Sequence, residues 1–286
     1  MRRKYYHGEG STIVKKLNSA EALENPSYKD SLAELLYQLA DDDFILAYRG
    51  SEWLGLAPHI EEDVAFSSIN QDTMGHAAMY YQLLEDLGEG SVDALAHVRT
   101  PEQRRNAILL EMANGPGDYL REPDYDWAFA VVRHYFYTAA KKIKINSMKN
   151  SSYQPLSETA VKISMELYYH QLHWKTWFEQ LMLAGGEARS RMEQAITIVM
   201  DDFGGLLSLG NKGAEIVRHD LIDSEEILQK RWKEAMKPVF NSVNLQIPTR
   251  FPMKHGDGRN GVHTDDLTKA ISTLGEVYHF DPAASW

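Results

Sequence analysis

Two segments of the sequence each contain a carboxylate followed by a histidine one helical turn later. They are Asp72 with His76, and Glu166 with His170. Residues four apart lie on the same face of a helix, so each pair would present an oxygen and a nitrogen ligand in one direction. Carboxylate and imidazole groups together bind divalent transition metals such as zinc and iron. The pairs therefore raise the question of whether this chain holds a metal centre.

The spacing differs from that of the dinuclear metal sites in four-helix bundles. Those sites use a Glu-x-x-His pair from each of two helices and one glutamate from each of the other two. Here the histidine comes at the fourth position instead of the third, and Gly75 and Tyr169 occupy the positions where ligand histidines would belong. The sequence resembles such a site but places its histidines one residue out of register.

Apolar residues recur at helical spacing over four long segments, which predicts an all-α fold. We expect long helices at about 31–55, 60–87, 125–148 and 156–183. Gly55 and Pro58 mark a tight corner between the first two, and Gly88 ends the second. Shorter helices are expected at about 101–112, 188–209, 223–241 and 265–278. The prediction is an antiparallel four-helix bundle with additional C-terminal helices.

The chain divides into three parts by composition. Residues 1–26 are polar and mixed, and we interpret them as a flexible N-terminal arm. Residues 27–247 form the bundle with its appended helices. Residues 248–286 form an irregular C-terminal tail, rich in Gly, His and Asp, with one short helix.

Antiparallel helices place residues level when they lie equally far from the connecting corner. The first two helices fold about residues 57–58, so Asp43 should lie level with Asp72. The other two fold about residue 152, so Thr138 should lie level with Glu166. The predicted layer, with residues one turn along included, comprises Asp43, Asp72, His76, Thr138, Glu166, Tyr169 and His170.

This layer offers three carboxylates and a neutral threonine, so it is one negative charge short of a dinuclear site. The shifted spacing alone does not exclude metal, because His-x-x-x-His binds zinc, and His134 could add a nitrogen. We favour a metal-free polar network in which the histidines pair with carboxylates and Tyr169 donates to Glu166. Since buried like charges cannot all ionise, we expect one protonated carboxyl or a salt-bridged pair.

The composition excludes several classes of function. A net charge of -11 argues against general nucleic-acid binding, which needs a basic face for phosphate. The absence of cysteine excludes disulfides, thiolate metal sites and thiol nucleophiles, and it fits a reducing compartment. No apolar run reaches membrane-span length, and the first residues lack an apolar signal core. We expect a cytoplasmic protein with no nucleic-acid or membrane partner.

Three further groups of residues have simple structural interpretations. Arg49, Glu52 and the acidic run 61–63 should form ion pairs that fix the first corner. His255, His263 and His279 lack regular ligand spacing, so we do not expect a zinc site in the tail. Aromatic residues on more than one helix face predict a subunit interface. These aromatic residues are Tyr80, Tyr81, Tyr135, Phe136, Tyr137, Tyr168 and Tyr169.

Four segments resemble a known family, the non-catalytic PaaC-type subunits of the multicomponent phenylacetyl-CoA epoxidase. They are residues 41–77, 108–115, 164–174 and 258–267. The resemblance implies a ferritin-like bundle that pairs with a homologous catalytic subunit holding a di-iron centre. That complex, supplied with electrons by a separate reductase, inserts one oxygen atom of O₂ into the ring of phenylacetyl-CoA.

The resemblance implies that this chain is a structural subunit with no catalytic residue, metal or other cofactor of its own. Gly75, Thr138 and Tyr169 would be the positions where ligands are lost. His76 stands where the family pattern suggests glutamine, which adds ligand capacity. Two alternatives remain open: a di-metal oxygenase in its own right, and a stand-alone homodimeric ferritin-like binding protein. The isolated chain could also form homodimers.

A possible contact with coenzyme A follows from the same resemblance. Thr100 and Pro101 predict a helix start, and two arginines follow one turn in. A helix N-terminus with arginines can hold phosphate. The residues concerned are Gln103, Arg104, Arg105 and Asn106. The alternative is that these are ordinary surface residues of a short helix.

Overall fold

The computed structural model describes residues 16–281 and residue 284. Within this part the chain is all-α, with isolated β-bridges but no strands. The helices are α1 (Ser19–Leu23), α2 (Pro26–Ser51), α3 (Ile60–Asp86), α4 (Val92–His97), α5 (Ile108–Glu111), α6 (Trp127–Met148), α7 (Gln154–Ala184), α8 (Gly186–Asp201), α9 (Gly204–Leu207), α10 (Gly213–Arg218), α11 (Glu225–Ser242) and α12 (Asp265–Phe280). None of the helices in the described residues is long and apolar enough to span a bilayer.

Helices α2, α3, α6 and α7 form the predicted ferritin-like antiparallel four-helix bundle. Their starts follow from local sequence. The Asn25 side chain caps α2 by accepting from the Tyr28 N–H at 3.2 Å, and Asp126 caps α6 in the same way. The His59 ring caps α3, where three acidic residues in the first turn favour the helix dipole. These boundaries confirm the four long helices within a few residues.

The four bundle helices differ in how much of their surface is covered. Helices α2 and α6 are buried on nearly all sides, because α5 and α8–α12 pack around them. Helices α3 and α7 bury only one face each. Side chains that point outward from α3 and α7 are therefore the ones that the rest of the described chain leaves uncovered.

The helix predicted at 101–112 is wrong. The structure has a 3₁₀ turn at Pro101–Gln103, an extended segment, and then α5. The N–H groups of Arg105 and Ala107 bond to the carboxylates of Asp41 and Asp42, at 2.8 and 2.9 Å. Backbone groups that bond to carboxylates on α2 cannot form a helix of their own.

Residues 16–26 are not a flexible arm. The N–H and C=O of Leu17 pair with the backbone around Tyr153, at 2.7 and 2.9 Å, and α1 follows with a capping box from Asn18 and Glu21. The prediction of flexibility is wrong for this part of the arm, and its first fifteen residues lie outside the described part of the chain. The local sequence signal was the capping box, which the prediction overlooked.

The tail consists, as predicted, of an irregular stretch and one helix, α12, but it is firmly packed. The Arg259 guanidinium is buried and donates to both carboxylate oxygens of Asp42, at 2.8 and 2.7 Å. The backbone N–H of Thr264 donates to Glu111 at 2.7 Å, and the His263 ring contacts the same carboxylate. Ion pairs and hydrogen bonds therefore hold the tail against α2 and α5.

Asp41 occupies a second buried ionic cluster. Its carboxylate accepts from Arg99, from Arg104 at 3.4 Å and from the Tyr81 hydroxyl at 2.7 Å. Burial alone would raise the pKa of Asp41, but the two guanidinium groups lower it to about 2 from the usual 3.8. Asp41 is therefore ionised in the folded chain at every pH near neutrality.

Acid titration should reveal this cluster. Because the folded pKa of Asp41 lies below its unfolded value, its contribution of about 2 kcal/mol is present above pH 4 and is lost as the pH falls towards 2. Asp41→Asn should remove that part of the slope and destabilise the protein at pH 7 by about 3–5 kcal/mol. Urea unfolding between pH 2 and 7 measures both. Equal slopes for the two proteins would contradict the assignment.

Candidate functional site

Asp43 lies in the centre of the bundle and has a cation beside it. Both of its carboxylate oxygens accept from the Lys141 ammonium, at 2.7 and 2.8 Å, and Oδ1 also accepts from the Tyr137 hydroxyl at 2.5 Å. Tyr137 and Lys141 are four residues apart and therefore share one face of α6. All three side chains are buried. Burial raises the pKa of Asp43 and lowers that of Lys141, while their mutual attraction opposes both changes.

The third proton of the Lys141 ammonium determines the state of His76. Lys141 Nζ lies 2.8 Å from His76 Nδ1, and His76 Nε2 lies 2.5 Å from Glu166 Oε2. Because an ammonium can only donate, Nδ1 accepts, and the ring proton is on Nε2, which donates to Glu166. Burial and the positive charge of Lys141 lower the pKa of His76 far below its ordinary range. His76 is thus a neutral link between the buried lysine and Glu166.

A second histidine–carboxylate pair lies beside the first. His170 Nε2 donates to Asp72 Oδ2 at 2.9 Å, and the rings of His76 and His170 are 6.2 Å apart. The histidine rings are buried, whereas the side chains of Asp72 and Glu166 are 41% and 45% exposed. Partial burial, with the nearby Asp72 carboxylate, raises the pKa of Glu166. The network therefore runs from the bundle centre to the outward face of α3 and α7.

The donor set does not fit a dinuclear metal centre. The ammonium of Lys141 lies between Asp43 and His76, within hydrogen-bond distance of three of the atoms that would be ligands. Asp72 and Glu166 are paired with histidines toward the surface. Among the described residues, no group of three or more His, Asp or Glu side chains is placed to hold a metal ion. The charge that a metal would supply comes here from a lysine.

The structure brings together most of the predicted layer. Asp43, Asp72, His76, Glu166 and His170 belong to the two hydrogen-bonded chains. Of the two forms expected for the buried carboxylates, the network contains the salt-bridged pair. Thr138 is buried three residues before Lys141.

Two further predictions for this layer fail. Tyr169 is 70% exposed and packs its ring against Tyr168, so the predicted bond to Glu166 is wrong. His134 donates to its own helix at Ala130 O and stacks on Trp174, so it is not available as an additional ligand.

Lys141 is the functional residue that the sequence prediction missed. The prediction placed Thr138 and Lys142 on the inward face of α6, whereas Tyr137 and Lys141 are the residues that reach Asp43. Because α6 is buried on nearly all sides, its apolar pattern does not single out one face. A usable signal was present nonetheless: lysines in a helix that is apolar all round require buried carboxylate partners.

The predicted coenzyme A contact is wrong. Arg104 and Asn106 are fully buried, and Arg104 donates to Asp41 and to backbone carbonyls. Gln103 caps the backbone N–H of Thr100 at 2.8 Å. Arg105 lies near Glu34 at 3.5 Å. These residues hold the 101–107 segment against α2 and do not form a phosphate site.

The remaining predictions are partly confirmed. Arg49 pairs with Glu52 at 3.1 Å, as expected at the first corner. The tail histidines have separate partners: His255 contacts Asp202, His263 contacts Glu111 and His279 contacts a backbone carbonyl. Five of the aromatic residues predicted for an interface lie inside this chain's own core, namely Tyr80, Tyr81, Tyr135, Phe136 and Tyr137. Tyr168 and Tyr169 are exposed.

Comparison with known proteins identifies the family of this helical bundle. Residues 15–286 match the family described as phenylacetic acid catabolic protein. The chain belongs to this family. One of its relatives is a component protein of the 1,2-phenylacetyl-CoA epoxidase of Escherichia coli (strain K12), named there as one of the enzyme's subunits. The two sequences are 24% identical over 258 residues, which cover 90% of this chain and 100% of the relative.

Removing the buried ammonium should destabilise this family member strongly. Lys141→Met would leave the Asp43 carboxylate buried without its cation, at a cost of about 3–5 kcal/mol in urea unfolding. Adding Asp43→Asn to that variant should recover about 2 kcal/mol or more, because the stranded charge is then removed. Lys142→Met, one residue along and only partly buried, is the matched control. Equal destabilisation by both lysine variants would refute the assignment.

Proposed function

We propose that this chain is the non-catalytic structural subunit of a multicomponent aromatic acyl-CoA epoxidase in phenylacetate catabolism. In this proposal a homologous catalytic subunit holds the di-iron centre and, with a separate reductase, converts phenylacetyl-CoA to its ring 1,2-epoxide in the cytoplasm. The observation that carries the proposal is the Lys141 ammonium between Asp43 and His76. Family membership and the similarity to a named epoxidase subunit support it.

A lysine at this position favours a structural role over catalysis. An oxygenase of this fold needs metal ions in the bundle centre to activate O₂. In this chain the central carboxylate already has a covalently attached cation, and every proton of that cation has an acceptor. The bundle can therefore satisfy its buried charges without metal, which suits a subunit whose task is to support and position a partner.

The outward face of α7 supports the second half of the proposal, the binding of a partner. Its exposed residues between 161 and 172 are largely apolar, although an exposed helix face is usually polar. Tyrosine and methionine are enriched at protein interfaces. The α7 stripe consists of Val161, Met165, Tyr168, Tyr169 and Leu172, each 50–70% exposed.

Metal analysis of the separated subunits tests the proposal against its rivals. The chain is co-expressed with a homologous catalytic subunit in iron-supplemented cells, and both are analysed after separation. We expect iron in the partner and none at stoichiometric level in this chain, with epoxidation of phenylacetyl-CoA only by the complex. Stoichiometric iron and activity in the isolated chain would establish the oxygenase alternative. A stable homodimer that never binds the partner would establish the binding-protein alternative.

Charge on the α7 stripe should weaken the complex. Met165→Glu and Leu172→Glu should each reduce affinity for the catalytic partner at least about tenfold, because a carboxylate would be buried at an apolar contact. The stability of the isolated chain should change by less than about 0.5 kcal/mol. Ile198→Glu, an exposed apolar residue on α8, is the matched control. Isothermal titration calorimetry distinguishes the variants, and unchanged affinity would exclude the stripe as the contact.

A further inference from the structure

Three acceptor atoms converge on one point inside the bundle. Asp43 Oδ1, Asp43 Oδ2 and His76 Nδ1 lie 2.7, 2.8 and 2.8 Å from Lys141 Nζ. Asp43 and His76 are 0% and 1% exposed, so the acceptors are shielded from water. A carboxylate and an imidazole lone pair directed at one buried cation are also the ligand types that bind zinc and cobalt.

Neighbouring residues hold these acceptors in place. The Tyr137 hydroxyl donates to Asp43 at 2.5 Å, and Glu166 accepts the His76 Nε2 proton at 2.5 Å. The second bond keeps the ring in the tautomer whose Nδ1 lone pair faces the cation. Metal-bound histidines are held in the same manner, by donating the other ring N–H to a carboxylate or carbonyl.

We propose that Asp43 and His76 form a preorganised cation site whose resident cation is the Lys141 ammonium. The chain therefore contains a closed metal site, and exchanging the ammonium for a ligand opens it to one divalent transition metal such as Zn²⁺ or Co²⁺. This inference does not depend on the proposed function, since it concerns only the donor atoms around Lys141 Nζ.

Lys141→Glu is the decisive substitution because it exchanges the cation for a third ligand. The site then contains two carboxylates and one imidazole, with a negative charge that a divalent metal neutralises. Without metal, two carboxylates would be buried together, which is strongly unfavourable. Folding of the variant should therefore depend on metal.

The experiment uses the full chain, purified without metal and then titrated with Zn²⁺ or Co²⁺. For Lys141→Glu we expect one metal per chain, a visible Co²⁺ absorption band, and a Tm raised by at least about 5 °C at a hundredfold excess of metal over Kd. Lys142→Glu makes the same charge change one residue along and should bind no more metal than the wild type. Adding His76→Gln to Lys141→Glu should abolish tight binding.

Each outcome decides the question. A Lys141→Glu chain that is unfolded alone and folds with Zn²⁺ supports the proposal, as does a folded chain that takes up one metal. A folded chain that binds no more metal than Lys142→Glu overturns it, and so does a chain that stays unfolded with Zn²⁺. Neither negative result would affect the structural-subunit proposal, which is tested by partner binding of the wild-type chain.

Discussion

Three consecutive buried carboxylates on α2 are the constraint on which the rest of this structure depends. Asp41, Asp42 and Asp43 are all buried, and a buried carboxylate without a cation costs several kcal/mol. Because successive helical side chains point in different directions, each aspartate must find its cation in a different part of the chain. Asp41 finds arginines in the 99–104 segment, Asp42 finds one in the tail, and Asp43 finds a lysine on α6. The three pairs bring together the bundle, the irregular segment at 101–107 and the C-terminal tail.

The third of these pairs connects the fold to the function. In a metal-containing bundle, the central carboxylates are neutralised by ions that can be lost or exchanged. Here the neutralising charge belongs to Lys141, so the centre is permanently compensated, and the polar chain continues through His76 to Glu166 on the outward face of α3 and α7. The same face includes the α7 stripe. A metal-independent core beneath an apolar outer surface is the arrangement expected of a subunit that supports a catalytic partner.

The sequence was sufficient to predict the long helices, their antiparallel pairing and most of the polar layer. Apolar periodicity and the Gly and Pro corners determine these features locally, and measuring from the corners correctly brought His76 and Glu166 together. Lys141 could not be assigned in the same way, because α6 is covered on nearly all sides and its pattern does not define an inward face. The 101–107 segment failed for a different reason: its backbone bonds to Asp41 and Asp42, contacts about 65 residues distant in sequence that local propensity does not encode.

The identity of the cation between Asp43 and His76 is the most direct test of a metal-free bundle centre. Crystals of protein purified from iron-supplemented cells would be measured with X-rays on both sides of the iron absorption edge. We expect no anomalous peak in the bundle centre, with the Lys141 side chain in contact with Asp43 and His76. An iron peak at that position, with Lys141 displaced from it, would contradict a centre neutralised by lysine.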